Sequence, residues 1–415
     1  MYQDAGEAGD LDVPRPEKEQ EPRYRWVIAF AAAAMLAIAM GQLVNGLSVF
    51  FIPLEQEFGW ARGSIAFINS AGLVGLALGG IMMGGIADRT DTRNVCLFGA
   101  VVTGLCVLAA SWADALWQFY LLFFLAGAFG AGSLFAPLIA LVGNWFRTGA
   151  GLAIGIAAAG QAVGQGGIPF GTTFLIEVLG WRGAFTALGI ASLILLVPLA
   201  LLTREPPRQS ARAACGNGDT VVPLPTGVAV LWLSVAVLLC CTCMSVPLMH
   251  LVPLIQGRGI SGPEAGGVLF VMMIAAIFGR VAFGRLADMI GAMPAYMTAS
   301  LWQTAMVLAF TQIRDLDTLY VFAPIYGFGY AGVMTGLLVT TRVLTPASRR
   351  AGSTGVILAF AWLGHGLGGF QGGLFYDYTG AYDVSFANAA LAGVLNLIIV
   401  GALFFAVRRR VRVPA

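Results

Sequence analysis

The 415-residue chain is 58% hydrophobic and only 11% charged, with a formal net charge of +2. A water-soluble domain carries roughly 25% charged residues, so this chain reads as lipid-embedded, and its small net charge excludes a nucleic-acid partner, which needs a basic face. Its single lysine, Lys18, leaves no GxxxxGK[ST] loop for a nucleotide phosphate, and its six cysteines show no metal-type spacing, so ATP-driven work and a metal centre are both excluded.

Residues 1–23 are polar, acidic and broken by Pro14, Pro16 and Pro22, and read as a disordered tail. From Trp26 onward apolar runs of about 20 residues follow, the length a helix needs to cross ~30 Å of hydrocarbon. Twelve are predicted: 26–52, 64–86, 94–112, 116–143, 150–175, 183–202, 227–254, 265–287, 293–311, 318–341, 351–375 and 385–407. The longest polar interruption carries Arg204, Arg208, Arg212 and prolines at 206, 207, 223 and 225. The expected organisation is a tail (1–23), a six-helix bundle (24–203), a linker (204–226), a second six-helix bundle (227–408) and a short tail (409–415). The basic residues cluster at the two tails, in the linker and at turns on the same side. By the positive-inside rule that side is cytoplasmic and holds both termini. The expectation is a multi-pass protein of a bacterial inner membrane, with no cofactor and a monomeric state.

An offset of 200 residues relates the halves. Gly84, Ala87 and Asp88 match Gly284, Ala287 and Asp288, and nine Gly–Gly coincidences occur, including Gly79/Gly279, Gly127/Gly327 and Gly164/Gly364. Chance gives roughly three or four, so the halves read as parallel repeats, the pattern of secondary transporters. The spacings Gly80-x3-Gly84, Gly151-x3-Gly155 and Gly332-x3-Gly336 are expected to seat close helix contacts.

The run Gly84-Gly85-Ile86-Ala87-Asp88-Arg89 resembles the G-x-L-A-D-R signature of the major facilitator superfamily. Asp91 and Thr92 stand where the signature has its second glycine and first basic residue. A narrower resemblance, to the monocarboxylate transporter and oxalate:formate exchanger group, rests on Phe58-Gly59-Trp60, Asn144-Trp145-Phe146-Arg147, Gly180-Trp181-Arg182 and Gly279-Arg280-x3-Gly284. It implies an all-α membrane fold of twelve helices in two pseudo-symmetric bundles. It also implies a gating role for Asp88, Arg89 and Asp288.

Arg280 lies eight residues before Asp288, about 12 Å into the membrane from that helix end. An arginine at mid-bilayer costs at least ~2.5 kcal/mol, and no acid stands in the middle of any predicted helix to offset it. A transient carboxylate is the matching partner for its fork. In the resembled group the arginine at this place holds the substrate carboxylate. His365 stands near the position of a lysine in oxalate:formate exchangers, and a protonated His365 would be a second cation. Further candidate binding residues are His250 at the expected outer mouth, Asn45 in the first segment, the Tyr326/Tyr330 pair, Tyr120, and Gln165. Asn45 stands where animal carriers of the group have a lysine, and Ala276 where they have an aspartate. These readings combine into a secondary carrier of small monocarboxylates, lactate- or pyruvate-like, working by alternating access with protons as the candidate coupling ion. The alternatives are an oxalate- or dicarboxylate-type exchanger and a drug efflux carrier. An enzyme is not expected, because no nucleophile–base pair can be drawn.

Overall fold

The computed structural model describes residues 23–87, 89–146, 150–205, 224–346 and 350–412. Every element among them is helical. In order they are α1 (Tyr24–Met40), α2 (Phe51–Phe58), α3 (Arg62–Ala87), α4 (Thr92–Ala109), α5 (Leu116–Leu125), α6 (Gly132–Trp145), α7 (Ala150–Leu202), α8 (Thr226–Gln256), α9 (Gly262–Ile290), α10 (Ala292–Val307), α11 (Ala309–Gln312), α12 (Leu316–Leu344), α13 (Arg350–Thr379) and α14 (Asp383–Arg412). Ten helical stretches are long and apolar enough to cross a bilayer.

Local chemistry sets the helix ends. Asp91 caps α4 through Arg93 N–H, Ser261 and Glu264 form a reciprocal capping box on α9, and Asp315 caps α12 through Thr318 N–H. Each satisfies donors that a helix start leaves open. The sequence predicts two segments between 150 and 202 with a gap at 176–182, and the structure breaks the helical backbone inside that gap, at Gly180. At 1.5 Å per residue, the 53 residues of α7 would run ~80 Å, far beyond one bilayer crossing. The run turns at Gly180, where φ is 70° and ψ 173°. A side chain would strain that left-handed conformation, so glycine marks the corner. Gly380, 200 residues on, has φ 71° and closes the gap between α13 and α14.

The first apolar run is not a continuous α-helix. After α1 it widens into a π-turn over Gly41–Asn45 and tightens into a 3-10 turn over Gly46–Val49. Such breaks free backbone carbonyls, which need other donors inside a membrane. Asn69 of α3 supplies them, its amide donating to Leu43 O at 2.7 Å and Val44 O at 3.0 Å.

Glycines bring helix backbones into contact, and the contacts repeat at the 200-residue offset. A Cβ on Gly79 would lie 2.0 Å from Ala128 O, and one on Gly279 2.0 Å from Phe328 O. One on Gly127 would lie 1.9 Å from Gly72 O, and one on Gly327 2.2 Å from Met272 O. Gly164 meets Ala37 and Gly364 meets Leu238 in the same manner. The small-residue spacings singled out in the sequence behave differently. Gly332 and Gly336 pack against Phe283 and Tyr296, but Gly80 and Gly155 face open space and Gly84 only touches Ala136. Gly80 and Gly84 line a cavity rather than a seam.

The most extensive contacts between residues before the central linker and residues after it are those of α3 with α13 and of α7 with α9. One end of the molecule gathers the start of α1, the ends of α6 and α7, and the start of α4. There Tyr24 OH donates to Leu202 O, Trp145 Nε1 to Arg204 O, and Thr92 N to Glu205.

The opposite end is tied shut between α3 and α13. Asp377 accepts from Arg62 N at 2.8 Å and Gly63 N at 2.7 Å, capping α3 with a carboxylate from the far part of the chain. The Arg62 guanidinium pairs with Glu55 at 2.9 Å, donates to Tyr382 OH at 3.1 Å and lies 4.0 Å from the Tyr376 ring centre. Ser70 Oγ adds a bond to Gly366 O at 2.6 Å. Gly63 and Gly373 allow the approach, since a Cβ on either would lie within 2.8 Å of the facing element.

These seams make a stability prediction. Gly164→Ala places its new methyl 1.8 Å from Ala37 O, an overpacking expected to destabilise by at least ~1–3 kcal/mol. Gly155→Ala meets nothing within 4 Å and is expected to be neutral or slightly stabilising. Melting of the two purified variants, followed by fluorescence-detected size exclusion, checks this. Equal melting temperatures would contradict the seam.

Candidate functional site

A cavity of about 900 Å³ lies between the two parts of the chain. Its wall on one side comes from α3 (Leu76, Gly80, Ile81), α6 (Phe135) and α7 (Ile154, Gln161). The other side comes from α8 (Met244, Leu248), α9 (Arg280), α12 (Tyr330) and α13 (Trp362, His365). The cavity extends to Thr90, Thr92 and Glu205. Those residues belong to the same end as the start of α1, so the cavity reaches that end while Asp377 and Arg62 hold the opposite one closed.

Among the described residues, Arg280 is the one arginine or lysine in the lining. Its Nη1 donates to Ala158 O of α7 at 2.8 Å, so the guanidinium reaches across to the opposite wall. Its Nε–H makes no hydrogen bond with the protein. Tyr330 lines the same cavity, its hydroxyl 3.7 Å from Met273 Sδ. Among the described residues no carboxylate pairs with Arg280, and the only acid in the lining is Glu205 at the mouth. One fixed positive charge therefore stands in a largely apolar chamber with donors left to give.

His365 also lines the cavity, its ring 5.7 Å from Trp362 and its Nδ1 without a protein partner. Gln165 lines it too. Asn45 sits behind that residue, fully buried, its amide donating to Gln165 O at 3.1 Å. Asn45 touches the site through Gln165 and not directly. Tyr326 stacks on Tyr330 at 5.9 Å but one turn farther from the mouth, buried and outside the lining.

Two candidates stand elsewhere. His250, expected at the outer mouth of a cavity, is completely buried at the closed end. Its Nε2 lies 2.7 Å from Gly369 O, its Nδ1 3.4 Å from Tyr382 OH, and Phe51 packs on its ring. It backs the Arg62–Tyr382 contact. Tyr120 is half-buried near the same end, donating to Ser64 O and packing on Phe67. Of the gating candidates, Arg89 and Asp288 are exposed at the open end, and Asp88 lies outside the described residues.

The sequence reading did not single out Phe135, Met244, Leu248 or Glu205 as lining residues. Trp362 was visible only as a neighbour of His365. Phe135 and Trp362 meet edge to face at 5.6 Å across the cavity floor, joining α6 to α13. Apolar residues in an apolar chain give no signal of their own, so only the packing reveals which of them face the cavity.

A sequence model of the Major Facilitator Superfamily matches residues 27–316 and 231–415. Monocarboxylate transporter 13 of Rattus norvegicus is 28% identical over 371 residues, covering 88% of this chain and 86% of the relative. Monocarboxylate transporter 11 of Homo sapiens is 27% identical over 397 residues, covering 90% and 82%. Among solved structures, the xylose transporter XylE from E. coli in a partially occluded inward-open conformation superposes with a TM-score of 0.73 at 15% identity, covering 92% of this chain and 98% of that one. A bacterial homologue of the human lysosomal transporter Spinster, inward-facing and unoccupied, superposes with a TM-score of 0.68 at 18% identity, covering 95% and 99%. Helical runs of membrane-spanning length, a cavity between two repeats, and a family match over nearly the whole apolar chain converge: this protein belongs to the Major Facilitator Superfamily and is a multi-pass membrane transporter, not an enzyme.

Proposed function

We propose that the chain carries monocarboxylates across its membrane by alternating access. The observation that supports this most is Arg280. It is a lone fixed cation in an apolar cavity, bonded to one backbone carbonyl and with a further N–H free of protein partners. A carboxylate supplies the missing charge and accepts in the fork geometry that guanidinium prefers. Neutralising the arginine lowers the cost of enclosing it, so closure is coupled to occupancy. The relatives named as monocarboxylate transporters support the same substrate class.

In this reading the twelve spans form two six-helix bundles, residues 24–203 and 227–408. The two arms of α7 on either side of Gly180 count as separate spans, and α10 with α11 forms the ninth. The open end is cytoplasmic, both termini lie there, and the conformation is inward-facing. Arg89 and Asp288, with Asp88, guard that end. Tyr330 and Gln165 orient the acid beside Arg280. A co-transported proton rides on His365 or on the substrate, because among the described residues the deep lining offers no acid to carry it. An oxalate-type exchanger would need His365 as a second cation, and no carboxylate lines the cavity near it to hold the proton there. An efflux carrier for lipophilic cations would need a deep acid, which the lining also lacks.

Ligand-induced thermal stabilisation of wild type and Arg280→Gln tests the proposal. Monocarboxylates at 100 times Kd are expected to stabilise the wild type by about 2.7 kcal/mol and to leave Arg280→Gln unmoved. Equal stabilisation of both proteins by acids, or stabilisation by lipophilic cations instead, would overturn it.

The Asp377 cap gives a second expectation. Asp377→Ala removes two charge-assisted bonds across the closed end, each worth more than a neutral one. The outward-open population is expected to rise by about fivefold, a shift of about 1 kcal/mol and well below the nominal worth of the bonds because Asp377 is exposed. Maleimide labelling of a Ser70→Cys reporter, on a background without native cysteines, reads this. Unchanged labelling would show that other contacts hold the closed end.

A further inference from the structure

The cavity is asymmetric in a way that bears on the substrate's other end. Gly80 and Arg280 are equivalent positions at the 200-residue offset, each eight residues before its Asp, Asp88 or Asp288. Both line the cavity, one from α3 and one from α9. They therefore stand at matching depths on opposite walls. Arg280 fills its side with a guanidinium, whereas a Cβ on Gly80 would meet nothing within 4 Å. The neighbouring walls stay hollow for the same reason: Gly84 meets only a methyl at 4.0 Å, Gly355 meets nothing, and Ala77, Ala136 and Ala140 add no bulk.

The hollow is apolar and partly aromatic. Leu76 and Ile81 flank Gly80, and Phe135 of α6 lines the same cavity with the Trp362 ring edge-on to it at 5.6 Å. Among the described residues, no charged side chain lines this side apart from Glu205 at the mouth. Water there gains few hydrogen bonds, and an apolar group entering releases it. Pockets of about 300–1,000 Å³ enclose drug-sized ligands. A three-carbon acid held on Arg280 would leave most of the 900 Å³ unfilled. Aromatic walls favour edge-to-face contact with a ring.

We infer that Gly80 is a specificity-determining residue, and that the preferred substrates are monocarboxylates with an aryl or equally broad apolar tail seated against it. This rests on the carboxylate reading of Arg280 and deepens it: the second repeat holds the head, and the first accommodates the tail. The glycine is kept because any side chain there would occupy the tail's space.

The test compares lactate with 3-phenyllactate, two acids that share a head and differ by a phenyl ring, on wild type, Gly80→Ala, Gly80→Leu and Arg280→Gln. The readout is the ratio of their affinities from competition binding to purified protein. Wild type is expected to prefer 3-phenyllactate at least tenfold. The ratio is expected to fall stepwise through Gly80→Ala to near unity in Gly80→Leu. The alanine variant keeps the series readable if the leucine variant is poorly folded. Arg280→Gln is expected to weaken both acids together. A wild type that does not discriminate, or Gly80 variants that keep the wild-type ratio, would overturn the tail assignment while leaving the head on Arg280. Undiminished binding of both acids by Arg280→Gln would instead overturn the carboxylate reading beneath it.

Discussion

A guanidinium in a largely apolar cavity, with no acid beside it among the described residues, is the constraint to which the rest of the structure answers. Placing Arg280 there costs several kcal/mol unless something takes its donors. The protein supplies one backbone acceptor, Ala158 O from α7, and a tyrosine in the same cavity lining. Because Ala158 belongs to the first repeat and Arg280 to the second, the partial satisfaction already spans the interface that must move. A bound anion would complete the shell at the same seam. Under the proposed function, the charge would link occupancy to the relative placement of the halves, which a fully paired internal salt bridge would not do.

The scaffold around that seam is stiff where it must be and open where it must be, and glycine serves both ends. At Gly79, Gly127 and Gly164, and at their counterparts 200 residues on, the missing Cβ lets helices touch backbone to backbone. Such contacts build each repeat as a unit. At Gly80 and Gly355 the missing Cβ faces empty space instead. Gly79 and Gly80 are neighbours on α3 with opposite duties. The helical rotation of 100° between them turns one toward α5–α6 and the other toward the cavity.

Depth along each helix was legible in the sequence, and direction around the helix was not. Segment lengths, the repeat offset and the register of Arg280 against Asp288 all follow from one-dimensional spacing. So does the nearness of Tyr330 and His365 to the same level. Asn45 and His250 had plausible depths too, yet Asn45 faces Gln165 O and His250 faces Gly369 O and Tyr382. A polar residue in an apolar helix has only that periodicity to orient it, and the all-round apolar surface of a buried helix supplies none. The closed end was invisible for another reason. Asp377 and the start of α3 are separated by more than 300 residues, and no local pattern announces a cap that arrives from so far away. The same holds for the π-turn at Gly41–Asn45, which is stabilised by Asn69 from the next helix.

The repeat is also broken in an instructive place. The cap on α3 uses two backbone donors, Arg62 N and Gly63 N, and the residue 200 positions after Gly63 is Pro263. Proline has no N–H, so a carboxylate from α7 could not grip α9 in the mirrored arrangement. Glu177 stands where Asp377 stands in the other repeat, and it is exposed. The α7–α9 seam relies instead on small residues: Gly262 and Gly266 lie against Thr173, and Gly166 against Met273. These contacts carry no directional bond, and the α7–α9 pair adds only the Arg280–Ala158 O bond deeper in, whereas the α3–α13 seam is held by charge-assisted bonds. One seam is thus held by a carboxylate cap and the other by close packing of small residues, and Pro263 in place of Gly63 removes one of the two donors that the cap uses.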